Sequence, residues 1–448
     1  MSVDRSCPPE AGPARSLSIP RPDRHRLPNG MAVAAVRRPR LPEATLALVL
    51  PAGADSMGPE RGGLASLVAK VLPEGSSGRT SREMAAMLDG LGVHLGVTVG
   101  YDSMILRLHT LSGQLEPALG VLASVALAPD FLPDEVDRCR GERLDAIRRM
   151  RDEPEEVAAD VMAQLLYGDH PYGRLTRGRE GSVERLDRAD LVEFHARRFS
   201  PRVATLVACG DLPDDFNELV TACFSGWRGV EVDHCPPDTV PDVASPGIVL
   251  VDRPGSGQSE IRIGGIGLKR GDPDEPAARV TNAILGGLFN SRLNMNLREE
   301  KGWTYGARSA LSLRRARGPW SLRAAVETAV TGAAVREMLQ EVQAMRESLP
   351  SDGEMLTAAG ALTRSLPLRF ETNSQIAGTI AEQVIYGLPD DYWSTFPGRI
   401  GGVSRDSVRD IAARLLDPEG LAVLVVGDAD AVLPDLENLG PVTLREVP

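Results

Sequence analysis

The chain has 448 residues, of which 62 are acidic and 50 basic, for a net charge of −12. That balance excludes a protein built to coat nucleic acid, and an aromatic content of only 4% excludes a base-stacking platform. An apolar content of 42% supports packed cores and excludes a wholly disordered chain, while the length predicts two domains.

Residues 1–26 read as a loose arm, because they hold several prolines and no periodicity. From there a first domain, 27–228, is predicted. Met31–Val36 and Ala44–Leu50 read as strands. Gly63–Leu72, Ser81–Gly90, Leu115–Ala126, Pro133–Met150, Glu155–Tyr167 and Arg188–Arg198 read as helices, and Ala204–Ala208 as a closing strand. Hairpin-like strand pairs beside paired helices predict an α+β fold rather than a doubly wound parallel sheet. Residues 229–246, including His234-Cys235-Pro236-Pro237, are Pro-rich and read as an extended linker to a second domain, 247–448.

The second domain repeats the first. Val36-Arg37-Arg38-Pro39 matches Val251-Asp252-Arg253-Pro254, and Leu132-Pro133 matches Leu349-Pro350. Cys209-Gly210-Asp211 after a strand matches Gly427-Asp428 after Leu421–Val426. The spacing barely drifts: Val36 to Val251 is 215 residues and Leu132 to Leu349 is 217. Two related halves are the expectation.

Cysteine usage bears on compartment. Cys7, Cys139, Cys209, Cys223 and Cys235 are scattered and never form a C-x-x-C pair, which fits a reducing environment. Met1 to Pro20 lacks a secretory-type apolar stretch, and runs such as Leu46–Leu50 are too short to span a membrane. A cytoplasmic protein with neither a membrane nor a nucleic-acid partner is expected.

Two segments carry chemistry. In Gly63–Leu72, Leu64, Leu67, Val68, Val71 and Leu72 make one apolar helical face. Ser66, Ala69 and Lys70 share another, at i, i+3 and i+4, the spacing used by an H-x-x-E-H zinc helix. The second segment is Gly286-Gly287-Leu288-Phe289-Asn290-Ser291-Arg292-Leu293, followed by Leu297-Arg298-Glu299-Glu300-Lys301-Gly302-Trp303-Thr304-Tyr305-Gly306. Its pattern predicts a helix end at Arg292–Glu300, a stop at Lys301-Gly302 and a strand beginning at Trp303-Thr304-Tyr305. Arg298 and Tyr305 would then flank one turn.

These stretches resemble the pitrilysin/insulinase family of inverted zinc peptidases, in its two-domain, mitochondrial-processing-peptidase-like branch. Gly78-Arg79-Thr80-Ser81-Arg82-Glu83, Asp152-Glu153-Pro154-Glu155 and Leu166-Tyr167-Gly168-Asp169-His170-Pro171-Tyr172-Gly173 extend the likeness, which covers both halves. The resemblance implies a clamshell of two α/β-sandwich-like halves, each a mainly antiparallel sheet flanked by helices. It also aligns the first zinc histidine with Ser66, the catalytic glutamate with Ala69, the second histidine with Lys70 and the third ligand with Ala146 or a residue next to it, Asp145 being its neighbour. Ser, Ala and Lys do not supply what catalytic zinc or its general base requires, so no metal and no cofactor is expected in this chain.

No other metal site stands out. His25, His94, His109, His170, His195 and His234 show no i, i+4 pairing, and surface or locally bonded histidines are expected. Lys70, on a helix beside Pro133–Met150, has Glu142 and Asp145 as candidate partners, against a solvated lysine. Arg138, Arg140, Arg143, Arg148, Arg149 and Arg151 read as a salt-bridged exposed helix. Arg253-Pro254-Gly255-Ser256-Gly257-Gln258 reads as a turn, since no helix follows its G-x-G.

In the family, an Arg and a Tyr matching Arg298 and Tyr305 grip the substrate backbone. The resemblance therefore implies a non-catalytic, substrate-binding subunit of a heterodimeric zinc peptidase, whose partner is a homologous zinc-bearing subunit and whose substrate is a peptide. An alternative stays open: an inactive peptide-binding or structural homodimer with no proteolytic role.

Overall fold

The computed structural model describes residues 18–54, 58–229, 232, 240 and 247–446. Most of the expected linker, with His234 and Cys235, lies outside the described residues, as do Cys7 and the first 17 residues of the expected arm.

Strands β1 (Asp23–Arg26), β2 (Ala32–Arg37), β3 (Glu43–Leu50), β4 (His94–Val99), β5 (Met104–Leu111) and β6 (Thr205–Gly210) form one sheet, ordered β1-β2-β6-β3-β5-β4. Strands β7 (Ile248–Asp252), β8 (Gln258–Ile266), β9 (Ala307–Leu311), β10 (Pro319–Glu327), β11 (Ala422–Gly427) and β12 (Val442–Arg445) form a second, ordered β12-β7-β11-β8-β10-β9. The sheets are mixed and mainly antiparallel. Only β2/β6, β7/β11 and β7/β12 run parallel. The α+β reading and the repeat both hold, for β2, β6, β3, β5 and β4 occupy the places of β7, β11, β8, β10 and β9.

The outermost place is filled from opposite chain ends. β1 precedes the first sheet and pairs antiparallel with β2, whereas β12 ends the second and pairs parallel with β7. This corrects the arm. Residues Asp23–Arg26 are not loose but an exposed edge strand, held by the ladder of β2 although every side chain faces water.

The halves exchange helices. Pro154–Tyr167 from the first half lies on β8 and β11 of the second sheet, and Asn373–Tyr386 from the second half lies on β3 and β6 of the first. Central strands are thus covered on both faces, which is why β6 and β11 are buried at every position. Ala34, Val36, Ala47, Val49 and Val207 join Ile376, Ala377 and Ile380 in one continuous core. Asn373, almost fully buried, ties the exchange with a hydrogen bond from its Nδ2 to the Glu43 carboxylate at 3.1 Å.

Local signals place the helices. The Thr80/Glu83 capping box starts Ser81–Leu91, and Pro133 opens Pro133–Met150. Among the described residues no helix is long and apolar enough to cross a membrane.

Candidate functional site

The helix Leu64–Val71 buries its apolar face completely, with Leu64, Leu67 and Val68 at 0% exposure. Its start needs glycine. Gly63 has φ +93°, and a Cβ there would stand 2.7 Å from the Arg177 carbonyl oxygen. The helix entrance therefore packs directly on the backbone of residues 177–178.

The residues that the sequence aligned with a metal site do share one place. Ser66 donates its hydroxyl to the Gly63 carbonyl at 3.2 Å, within its own helical turn. Ala69 is buried and contributes only a methyl group. Lys70 Nζ lies 2.7 Å from the Glu142 carboxylate, so of its two candidate partners it takes Glu142. Asp145 pairs with Arg148 instead, at 3.4 Å. Ala146 follows Glu142 by one helical turn and so shares its face.

Two cations meet on Glu142. Glu142 also accepts from Arg138 at 2.7 Å. The Lys70 hydrogen bond, and then that of Arg138, hold the Glu142 carboxyl below its ordinary range. Arg143 departs from the expected exposed helix face. Its guanidinium is part-buried and donates to the Ser66 carbonyl at 3.4 Å. Burial, with the nearby Arg177, makes that charge costlier to hold. Four of the other arginines fit the salt-bridged reading: Arg138 pairs with Glu135, Arg140 with Asp137, and Arg148 and Arg151 with Glu180, whereas Arg149 makes no ion pair among the described residues.

Family-type zinc does not fit these residues. A dication needs three lone-pair donors and an open position, and here stand one hydroxyl turned to its own helix, two methyls and an ammonium. Among the described residues no group of three or more His, Cys, Asp or Glu side chains could hold a metal ion. Histidines are dispersed as expected. His195 donates its Nε2–H to the Ala126 carbonyl at 2.8 Å, and burial lowers its pKa. Thr45 and Glu43 flank His109 at 3.1 and 3.2 Å, an order resembling a catalytic triad. Thr45 is fully buried, so its hydroxyl cannot reach a substrate. Burial lifts the thiols of Cys139 to about 11 and Cys209 to about 12, too high for a nucleophile at neutral pH.

The second segment is built differently from the expected helix end. Residues Ala283–Gly287 and Asn294–Glu300 wind as wide π-type turns, and Lys301 N–H reaches back to the Asn296 carbonyl, five residues earlier. Gly302, at φ +65°, stops the helix as expected. The expected strand at Trp303–Tyr305 is a correction: β9 begins only at Ala307. Thr304 instead turns the chain, exchanging hydrogen bonds with Gly306. Asn294 then seats the strand by accepting from the Ala307 N–H at 2.9 Å.

Arg298 and Tyr305 do come together. Both line a groove of about 480 Å³ with Phe289, Arg308 and Arg323. The Arg298 guanidinium lies 4.5 Å from the Phe289 ring centroid and 3.6 Å from the Glu299 carboxylate. Tyr305 is 96% exposed and Phe289 63% exposed, unusual for such rings. A close backbone approach shapes the groove floor. A Cβ at Gly286 would lie 2.4 Å from the Ser309 nitrogen, so only glycine fits.

The wide turn is braced from behind. Asn296 donates to Glu337 at 3.0 Å and Glu341 at 2.8 Å, while Lys301 donates to Asn296 at 2.6 Å. Arg292 makes a two-pronged pair with Glu354, at 2.6 and 3.2 Å. Burial pushes the Glu354 carboxyl up, but Arg292 and the Ser351 amide and hydroxyl together bring it down to about 2. The sequence pointed to Arg298 and Tyr305 but not to Phe289, Asn296, Arg308 or Arg323. Their roles depend on wide turns and strand register, which no apolar periodicity announces.

Comparison with known proteins agrees with this fold. Residues 32–180 match the family model "Insulinase (Peptidase family M16)", and residues 185–362 match "Peptidase M16 inactive domain". An uncharacterized zinc protease of Mycobacterium tuberculosis is 28% identical over 421 residues, covering 93% of this chain and 96% of that protein. The mitochondrial-processing peptidase subunit beta of Mus musculus is 22% identical over 452 residues, covering 97% and 90%. A crystal structure of a peptidase M16 inactive domain from Pseudomonas fluorescens superposes with TM-score 0.84 at 24% identity, covering 92% of this chain and 98% of that one. The architecture is that of a two-half zinc-peptidase scaffold. The chain belongs to the insulinase (M16) peptidase family, and it lacks the H-x-x-E-H motif.

Proposed function

We propose that this chain is the non-catalytic, substrate-binding subunit of a heterodimeric zinc peptidase. Its peptidase-like halves, 27–228 and 247–448, would form one valve of a clamshell in an aqueous, reducing compartment such as the cytoplasm. A homologous zinc-bearing subunit would form the other valve and supply the hydrolytic chemistry.

The carrying observation is the opposite fate of two places. Where the metal would lie, Lys70 and Glu142 close on each other. Where the peptide would lie, Arg298 and Tyr305 line an open groove. The Tyr305 hydroxyl makes no hydrogen bond among the described residues, so its donor is available. A guanidinium and a phenol both donate to a peptide carbonyl, and donate more strongly to the oxyanion that develops from it. Phe289 beneath the guanidinium limits its swing, which favours one binding geometry.

Reconstitution tests the proposal. Peptide cleavage is measured for this chain, for its H-x-x-E-H-bearing partner, and for the two mixed. Cleavage that appears or rises sharply on mixing is the expected result. Cleavage by this chain alone, or a partner indifferent to its addition, contradicts it.

A further inference from the structure

We propose that Arg308 and Arg323 form a carboxylate subsite in this groove, so that the peptide gripped by Arg298 and Tyr305 carries an acidic group beside them. The proposal rests on the reading of the groove as a peptide site.

Strand register is the first observation. Arg308 on β9 stands directly opposite Arg323 on β10, and Arg323 stands directly opposite Arg262 on β8. Three guanidinium side chains therefore lie side by side across neighbouring strands, on one pleat face. Like charges directly opposite each other destabilise an antiparallel pair. A fold keeps such a row when anions meet it.

Compensation reaches only one end of the row. Glu260 lies 2.8 Å from Arg262, and Glu155 lies 3.6 Å from Arg262 while also accepting from Arg323. Glu155 belongs to the exchanged helix Pro154–Tyr167, which covers the inner strands. Arg308 stands exposed on the outermost strand, and its side chain has no carboxylate and no hydrogen-bond partner among the described residues. Arg298 adds a further guanidinium at the same groove. In a chain of net charge −12, this local cationic cluster is not a by-product of composition.

Guanidinium groups present planar forks that match a carboxylate. Directly opposed strand residues hold their Cβ atoms ~5 Å apart, close enough for two forks to share one anion. The carboxylate could belong to an Asp or Glu side chain or to the peptide's own C-terminus.

Binding of matched fluorescent peptides to the full chain, read by anisotropy, tests this. The set holds a Glu peptide and its Gln twin, each with an amidated or a free C-terminus. The expected result is a preference of about tenfold or more for a carboxylate-bearing peptide. The Glu/Gln contrast or the acid/amide contrast identifies its source. Arg308→Gln should abolish that preference, so that carboxylate-bearing and neutral peptides bind alike. Arg364→Gln, an exposed arginine elsewhere in the second half, should change neither. Removing one member of a like-charge row should also leave the melting temperature unchanged or raise it by ~1 °C, whereas a structural arginine would lower it. Equal binding of all four peptides, still weakened by Arg298→Ala, overturns the subsite and leaves the groove reading intact. Binding insensitive to Arg298→Ala and Tyr305→Phe overturns both.

Discussion

At the scale of single residues, few positions separate the helix Leu64–Val71 from an H-x-x-E-H pattern. The helix Leu64–Val71 keeps its apolar face and its glycine entrance, and Ser66 and Ala69, both buried, and Lys70, partly exposed, stand where that pattern places its histidines and glutamate. Lys70 and Glu142 are both partly exposed, so solvent screens their pair and it adds little to stability. Lys70→Ala should therefore shift the unfolding midpoint only slightly, as checked by thermal denaturation. The combined variant Ser66→His, Ala69→Glu, Lys70→His and Ala146→Glu supplies the missing ligand types on the facing helices. It should take up zinc stoichiometrically, as measured by metal analysis after dialysis. Zinc uptake by the unaltered chain would contradict the assignment. The ligand loss was legible in the sequence because it depends on residue type at fixed helical spacing. The partner of Lys70 was not, because Glu142 and Asp145 sit on nearby faces of one helix and only packing selects between them.

At the scale of elements, the wide turn Asn294–Glu300 positions Arg298, and its bracing is electrostatic. Glu354 caps its own helix Asp352–Arg364 while gripping Arg292. Its carboxyl, near 2 when folded, titrates well below the ordinary ~4.3 of an unfolded glutamate. A depressed folded value means stability that is present above pH ~4.3 and lost as pH falls toward 2. Partial exposure leaves an estimated ~1–2 kcal/mol at neutral pH. Glu354→Gln should lower stability by that amount at pH 7 and flatten the loss between pH 4 and 2, as followed by denaturant titration at each pH. A slope like that of the unaltered chain would contradict the bracing role. Here the sequence was partly legible. The stop at Gly302 followed from glycine's tolerance of positive φ, whereas the strand was expected to begin at Trp303 and begins at Ala307. Trp303 and Tyr305 have strand propensity, but Thr304 bonds locally to Gly306 and keeps them out of the ladder.

At the scale of the whole molecule, the repeat was readable from motif spacing, yet the exchange of helices between the halves was not. Each exchanged helix has an ordinary apolar pattern, and nothing in that pattern says which sheet it covers. The exchange makes the halves interdependent. Without Asn373–Tyr386, the first sheet would expose Val36, Ala47, Val49 and Val207. Calorimetry of the intact chain should therefore show one cooperative transition. Ile380→Ala, which empties a nearly fully buried site in the shared core, should lower it as a unit, by ~2–5 kcal/mol. Two separable transitions would contradict this coupling. An interlocked scaffold suits a rigid valve that presents one groove to a partner. The most direct test of that role is turnover by the reconstituted pair when only this chain carries Arg298→Ala or Tyr305→Phe. Loss of an oxyanion donor predicts a fall in kcat of ~10²-fold or more, with the zinc content of the partner unchanged. Unaltered turnover with both variants would contradict the account.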